Sequence, residues 1–214
     1  MRTADLVDSL AATTKPVRRR ALSMRFGLAL SAATGIALVG LILLLGVRPD
    51  LREAVSSFPF WMKTVYTASV GGVGVYLALR LVRPGARVGP APGLMAFALT
   101  GAVGLLGLAE LLRMPAERRM DVWLGSSWST CPFWILGLSA PLLLAGLWVL
   151  RRAAPPSPGA AGLALGLAAG GISATVYGLH CVESAAAFLA TWYVAGILTT
   201  AMVGGLIGRI GLRW

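Results

Sequence analysis

The feature that most constrains this chain is a series of six apolar runs, each long enough to cross a lipid bilayer as a helix. About 20 consecutive apolar residues span the hydrocarbon core of a membrane. The continuous Leu, Ala, Gly and Val stretches differ from the alternating segments of transmembrane strands. The sequence therefore predicts an all-α integral membrane protein, a bundle of six transmembrane helices. The runs cover residues 26–47, 62–82, 92–112, 131–150, 159–179 and 186–207.

The few charged residues inside these runs lie near the run ends. Lys63 and Arg80 lie toward opposite ends of the second run, and Glu110 lies close to the end of the third. Long side chains at such positions can extend to the membrane interface, so we expect Lys63 and Arg80 to snorkel outward. No run then places a charge at the centre of the bilayer.

The distribution of basic residues predicts the orientation of the bundle. Six crossings put both termini on one side, and thirteen of the 19 Lys and Arg residues fall on that side. The positive-inside rule makes this side cytoplasmic. The net charge of +11 is also typical of proteins that bind nucleic acid. Here the basic residues lie near helix ends, so we expect them to contact membrane lipids and expect no direct nucleic-acid binding. Residues 1–25 then form a cytoplasmic segment, residues 26–208 the membrane domain and residues 209–214 a cytoplasmic tail.

Small residues recur every four positions in the last two runs. This spacing lets the backbones of two membrane helices approach closely. It is also common in ordinary membrane packing, so it predicts a close helix pair without assigning it a function. The two stripes comprise Gly162, Gly166, Gly170, Ala174 and Gly178 in the fifth run, and Gly196, Thr200, Gly204 and Gly208 in the sixth.

The two cysteines stand at polar breaks that the topology puts on the outer side. Cys131 lies in SWSTCP and Cys181 in LHCVES, where His180 and Glu183 flank it. Because Pro132 favours the first position of a helix, we expect Cys131 at the N-cap of the fourth span, where the helix dipole favours thiolate. In an oxidising compartment such a pair can form a disulfide. We therefore predict a signal-sensing thiol site.

Two other interpretations of the cysteines stay open. Cys131, Cys181 and His180 are ligand types that suit a transient soft heavy-metal ion, although adjacent His180 and Cys181 point about 100° apart on a helix and the spacing matches no ligand motif. Alternatively, both cysteines are small buried apolar residues without chemical function. No other cofactor is expected.

The N-terminal segment carries the pattern of a short amphipathic helix. Thr3 can cap it, its carboxylates lie in the early turns, and Lys15 with Pro16 ends it. A helix of about ten residues is marginal in water unless its apolar face is covered. It either lies on the membrane surface or binds a cytoplasmic partner. Its apolar side chains are Leu6, Val7 and Leu10, and the carboxylates of its early turns are Asp5 and Asp8.

Six short motifs, in order along the chain, resemble those of the NrsF family of membrane anti-sigma factors, negative regulators of an extracytoplasmic-function sigma factor. The resemblance implies that the N-terminal segment holds a sigma factor at the bacterial inner membrane. It also implies that Cys131 and Cys181 take part in receiving the inducing signal, an oxidant or a heavy metal. The motifs are DLVDSLAATTKPVRRR, GVRPDL, FWMK, SWSTCP, LHCVES and TWY.

Two other functions fit a small polytopic membrane protein. A membrane thiol-disulfide oxidoreductase usually needs a second cysteine pair, and this chain has two cysteines. A small-solute or metal transporter needs polar groups near mid-bilayer, and the mid-span hydroxyls here are expected to bond to backbone carbonyls instead. A regulator that is not an enzyme is the preferred interpretation. The hydroxyl residues are Ser31, Thr34, Ser69, Thr100, Ser139, Ser173 and Thr200.

Overall fold

Helices dominate the structure, a computed structural model that describes residues 3, 5, 12, 19–83, 85–86 and 88–212. Within these residues there is no strand, so the all-α prediction is confirmed. Five connections join the six long helices, and the described residues of each contain a short helix or a turn. The helices are α1 (Arg19–Leu44), α2 (Leu51–Ala54), α3 (Phe58–Leu81), α4 (Ala91–Arg113), α5 (Ala116–Leu124), α6 (Cys131–Arg151), α7 (Pro158–Tyr177) and α8 (Ala186–Gly211).

Five of the six predicted runs form helices that are long and apolar enough to cross a membrane, namely α1, α4, α6, α7 and α8. The remaining run forms α3, which has 24 residues and therefore extends about 36 Å. It is less apolar than the others because it carries charged and hydroxyl residues. A sixth crossing by α3 stays a prediction.

Proline marks the beginning of four of these helices. Pro59, Pro92, Pro132 and Pro158 each occupy the first or second helical position. A proline there sacrifices no hydrogen bond, because the first amides of a helix have no partner within it. At the opposite end of α1, Gly46 adopts a φ of 75° and donates to the Leu41 carbonyl at 3.0 Å. This left-handed residue turns the chain out of the helix.

The small-residue stripes of α7 and α8 face each other, as predicted. A methyl group added to Gly208 would lie 2.7 Å from Gly162 Cα, and one added to Gly166 would lie 2.5 Å from the Thr200 carbonyl oxygen. Such distances leave no room for a side chain. Gly196, at the end of its stripe, instead meets Ile135 of α6.

Helices α3 and α7 form a second close contact, which the sequence did not predict. A methyl group on Gly171 would lie 2.5 Å from Gly71 Cα, and one on Gly74 would meet the α7 backbone at 2.7 Å. Beside them the hydroxyls of Thr67 and Thr175 are 2.8 Å apart. Helix α7 is therefore packed backbone-to-backbone against α3 on one side and α8 on the other.

Helix α4 is the peripheral member of the bundle. Only 11% of its most apolar window is buried, against 67% for α7. Val103 and Gly107 are its buried residues, and Glu110 accepts a hydrogen bond from the Ala187 amide at 3.2 Å. Most of α4 thus faces the surroundings of the bundle.

Five of the seven mid-span hydroxyls bond to backbone carbonyls, which confirms that expectation for them. Four bond within their own helix, and Ser173 also reaches α6 through the Ile135 carbonyl at 2.9 Å. These side chains are therefore satisfied by the fold. The five are Thr34, Thr100, Ser139, Ser173 and Thr200.

The two ends of the bundle differ in residue type, and we name them by it. The cysteine end is where the C-termini of α1 and α7 meet the N-termini of α3, α6 and α8. It contains Arg48, Lys63, Ser127, Cys131, Tyr177, Cys181, Glu183 and Tyr193. The arginine end contains Arg25, Arg80, Arg83, Arg151, Arg152 and Arg209.

Candidate functional site

The loop between α7 and α8 is held at the cysteine end by two cationic side chains from distant parts of the chain. Arg48 donates its backbone amide to the Leu179 carbonyl at 3.0 Å and Nη1 to the Cys181 carbonyl at 3.3 Å. Lys63 donates Nζ to the carbonyls of Cys181 and Glu183, both at 2.9 Å. The Cys181 carbonyl therefore accepts from both cations. We name these contacts the carbonyl clamp.

Arg48 also forms a bidentate ion pair. Its Nε and Nη2 each lie 2.7 Å from a carboxylate oxygen of Asp50. Hydrogen bonding to Arg48 holds the pKa of Asp50 below its ordinary value, and the same contact raises the pKa of Arg48. The guanidinium donates twice to Asp50 and once to the Cys181 carbonyl. It therefore links the loop after α1 to the loop between α7 and α8.

Lys63 does not snorkel outward, as its position in the sequence had suggested. The side chain is only 1% exposed, while Arg80 at the other end of α3 is exposed as expected. In the described part of the chain no carboxylate forms an ion pair with Lys63. Its ammonium bonds to the two loop carbonyls and lies 5.6 Å from the centre of the Tyr193 ring. The prediction failed because carbonyls 118 and 120 residues away provide a polar site inside the protein.

The structure places both predicted sensing thiols in one buried cluster. Cys131 is fully buried, Cys181 is 3% exposed, and both are free. Ser127 connects them, since its carbonyl accepts from the Cys131 amide at 2.9 Å and its Oγ lies 3.8 Å from Cys181 Sγ. The cluster also contains Tyr177.

Cys131 is the first residue of α6, and Thr130 precedes it as the N-cap. The prediction that Cys131 itself caps the helix is therefore wrong by one position. Helix boundaries are the least certain element of a sequence pattern because the first turn has free amides at several successive positions. As the first residue of α6, Cys131 packs inside the bundle and is fully buried.

The two polar neighbours of Cys181 make separate contacts. His180 Nδ1 lies 3.0 Å from the Gly46 carbonyl oxygen, which requires the proton on Nδ1. Glu183 Oε1 accepts from Ser126 twice, from the amide at 2.8 Å and from the hydroxyl at 2.7 Å. Among the described residues no group of three His, Cys, Asp or Glu side chains is arranged to hold a metal ion. The structure thus brings the two cysteines together without assembling a ligand set around them.

A π-helical segment at the beginning of α8, Leu189–Tyr193, positions the TWY motif. Such segments insert an extra residue into a helix and occur often at functional sites. Trp192 stacks near Trp123 and Trp128 and donates Nε1 to the Trp123 carbonyl at 3.0 Å. Tyr193 points the other way, into the thiol cluster beside Tyr177. Its buried hydroxyl lies beside the Cys181 thiol and has no oxygen or nitrogen partner.

A cleft of about 300 Å³ leads to this cluster. Cys181 is part of its wall and Cys131 is not. The remaining wall mixes polar side chains with the apolar residues Leu45, Val47, Pro49 and Val182. Its other polar lining residues are Arg48, Ser126, Ser127, Tyr177 and His180.

The motifs that converge on this cluster match those of a known family along nearly the whole chain. Residues 10–214 match the family described as NrsF, negative regulator of sigma F. The chain belongs to the NrsF family. It is 42% identical to the anti-sigma-F factor NrsF of Caulobacter vibrioides over the full length of both proteins. It is 35% identical to the probable anti-sigma-F factor NrsF of Azospira oryzae, again over both full lengths. No solved structure matches the chain.

Membership in this family means that the chain is a negative regulator acting on a sigma factor and not an enzyme. The residues predicted for sigma binding fall mostly outside the described residues, namely Leu6, Val7, Asp8 and Leu10. Asp5 is helical and exposed, as are Thr3 and Ala12.

Sequence reasoning missed four side chains of this NrsF-family site, which are Arg48, Lys63, Tyr177 and Tyr193. Arg48, Lys63 and Tyr193 stand in the motifs GVRPDL, FWMK and TWY, which had served only for the family resemblance. A signal was available, since a lysine inside an apolar run needs a polar partner. What the sequence did not supply is the partner, because it is a backbone carbonyl.

Proposed function

We propose that this chain is a membrane-embedded anti-sigma factor of the bacterial inner membrane that sequesters an extracytoplasmic-function sigma factor. The N-terminal segment, including Asp5 to Leu10, binds the sigma factor in the cytoplasm. A thiol-reactive signal in the periplasm, an oxidant or a heavy-metal ion, acts at Cys131 and Cys181 and releases it. The observation that carries the sensing part is the burial of both thiols in one cluster, next to a loop held by the carbonyl clamp.

The clamp suggests how a change at the thiols reaches the cytoplasm. Lys63 belongs to α3, and α3 packs against α7 through Gly71 and Gly171 without intervening side chains. Helix α7 packs against α8 in the same way. A displacement of the Cys181 loop therefore moves closely packed helices as a unit. To change occupancy from about 99% to about 1%, the two states of the bundle must differ by about 5.5 kcal/mol in their affinity for the sigma factor.

The orientation is tested by labelling engineered cysteines. Ser129 at the cysteine end and Ser157 at the arginine end are both exposed. Each is changed to cysteine in a background in which Cys131 and Cys181 are serine. In intact cells a membrane-impermeant maleimide should label Ser129→Cys, and should label Ser157→Cys only after lysis. The reverse pattern, or labelling of both from outside, contradicts the proposed topology.

The contact with the sigma factor is tested by co-purification from membranes. Deletion of residues 2–12 should abolish capture, and deletion of the tail 209–214, which lies on the same side, should leave it intact. Capture that survives the N-terminal deletion would assign the contact elsewhere.

The sensing role is tested in cells with a sigma-dependent reporter. The double variant Cys131→Ser, Cys181→Ser should repress normally but respond to an oxidant or cadmium with less than about a tenth of the normal induction, a difference of about 1.4 kcal/mol or more. Normal induction in this variant would remove the thiols from the mechanism.

A further inference from the structure

The two thiols differ in access and in polar surroundings, although they share one cluster. The wall of the 300 Å³ cleft includes Cys181 and excludes Cys131, which is fully buried. Small molecules that enter the cleft therefore meet the Cys181 residue first. Arg48 and His180 are the charged or ionisable side chains of the same wall.

Two buried groups, the Lys63 ammonium and the Tyr193 hydroxyl, lie against Cys181. The Lys63 ammonium is bonded to the Cys181 carbonyl at 2.9 Å and interacts electrostatically with both thiols, more strongly with Cys181 than with Cys131. The Tyr193 hydroxyl is fully buried beside the Cys181 thiol and has no oxygen or nitrogen partner. A thiol is a weak acceptor, and a buried donor without a strong acceptor is costly. An oxygen atom added to the sulfur of Cys181 would supply that acceptor.

From these contacts we infer that Cys181 is the thiol that a small two-electron oxidant attacks first, with Lys63 as its positioning residue. The inference rests on the proposed function and assigns separate roles to the two cysteines. In the reaction with a peroxide ROOH, the sulfur attacks one oxygen, an S–O bond forms and the O–O bond breaks. Sulfur is oxidised by two electrons, ROOH is reduced, and the thiol proton leaves with RO⁻ as ROH. The product is a sulfenic acid at Cys181.

Lys63 contributes in two ways. Its two hydrogen bonds hold the backbone of Cys181 and Glu183, so the sulfur keeps one orientation toward the cleft. Its positive charge stabilises the negative charge that develops on the leaving oxygen of RO⁻ during the attack. Tyr193 donates to the oxygen of the product. Neither role requires Cys131 to react.

The experiment uses the full-length protein in nanodiscs, with hydrogen peroxide as oxidant and a dimedone probe for sulfenic acid. Mass spectrometry locates the probe at early times in the wild type and in the variants Cys131→Ala and Cys181→Ala. The probe should be found on Cys181 in the wild type and in Cys131→Ala. Cys181→Ala should take up at least tenfold less. Equal or faster labelling of Cys131 overturns the inference.

Lys63 is tested by the rate of this labelling in the Cys131→Ala background. Lys63→Met should slow the peroxide-dependent labelling of Cys181 at least tenfold, and Lys63→Arg should recover at least half of the lost rate. Arg80→Met, a matched change on the exposed end of the same helix, should have no effect. A purely structural role predicts the opposite result, because an opened site would speed reaction with both peroxide and N-ethylmaleimide. Faster or unchanged peroxide labelling in Lys63→Met therefore overturns the positioning role.

Tyr193→Phe provides a further variant that keeps the aromatic packing and removes only the hydroxyl. It should lower the yield of trapped sulfenic acid several-fold, and an unchanged yield contradicts the role of Tyr193.

Failure of this inference is distinct from failure of the proposed function. If Cys181→Ala abolishes induction in cells but the probe is found on Cys131, the sensing function stands and the order of attack is wrong.

Discussion

Among the side chains that the structure describes, the two buried cations both lie at the cysteine end of the bundle. At the cysteine end Lys63 is 1% and Arg48 7% exposed, and both donate to the carbonyl of one loop residue. At the arginine end the arginines are exposed, and Arg80 and Arg152 lie over the rings of Tyr76 and Trp148. Buried charges that bond to backbone hold a structure in one state, whereas exposed charges contribute little to stability. The difference is that the end with the thiols is tied together by buried, backbone-bonded cations, whereas the arginines named for the other end are exposed.

The largest expected effect comes from exchanging one cation at each end for methionine. Lys63→Met leaves the Glu183 carbonyl without its donor and the Cys181 carbonyl with Arg48 alone, which should cost about 2 kcal/mol. Arg80→Met removes an exposed contact to the Tyr76 hydroxyl and should cost less than about 0.5 kcal/mol. Reversible unfolding in mixed micelles measures both. Equal losses would mean that burial of the clamp contributes nothing to stability.

An intermediate effect is expected at Glu183, which anchors the same loop from its side chain. Glu183→Ala removes the acceptor of the Ser126 amide and hydroxyl and should cost about 1 kcal/mol. The Ser126 amide should then exchange with deuterium about fivefold faster, as read by mass spectrometry of the 125–131 segment. Glu117→Ala, an exposed carboxylate on α5, is the control. Unchanged exchange in Glu183→Ala would show that the loop is held by the clamp alone.

The smallest effect is the pH dependence of the Arg48–Asp50 pair. Because the pKa of Asp50 is lowered in the folded protein, its contribution is present above the ordinary aspartate value of 3.8 and is lost as the pH falls through the lower folded pKa. The wild type should therefore lose a small amount of stability at acid pH, and Asp50→Asn should not show this loss. Unfolding midpoints recorded between about pH 5 and about pH 2 provide the measurement. Parallel pH curves for the two proteins would contradict the assignment.

Periodicity and composition predicted the helices well, because a membrane helix follows from local sequence alone. The apolar runs, the prolines at helix starts and the facing small-residue stripes of α7 and α8 depend on residues within one or two helices. Even the shared location of the cysteines followed from counting crossings. The close contact of α3 with α7 did not, because Gly71 and Gly74 are not part of a regular stripe.

The candidate site was predicted only in part. Cys131, Cys181, His180 and Glu183 stand out because they interrupt apolar sequence. Lys63 was expected at the membrane interface, since nothing near it in the chain offers a partner, and its acceptors are backbone carbonyls that every residue possesses. No pattern of side chains distinguishes one carbonyl from another.

By itself, the amino-acid sequence determined that this chain forms apolar helices, that its positive charge collects at one end and that its thiols lie at the other. These properties depend on hydrophobicity and order along the chain, which are local. Only the tertiary structure decided that Arg48 and Lys63 bond to the Cys181 loop, across 133 and 118 residues of sequence. The physical reason is that a buried cation takes whichever acceptor the packed helices bring within reach, and that acceptor is set by the packing of the whole bundle.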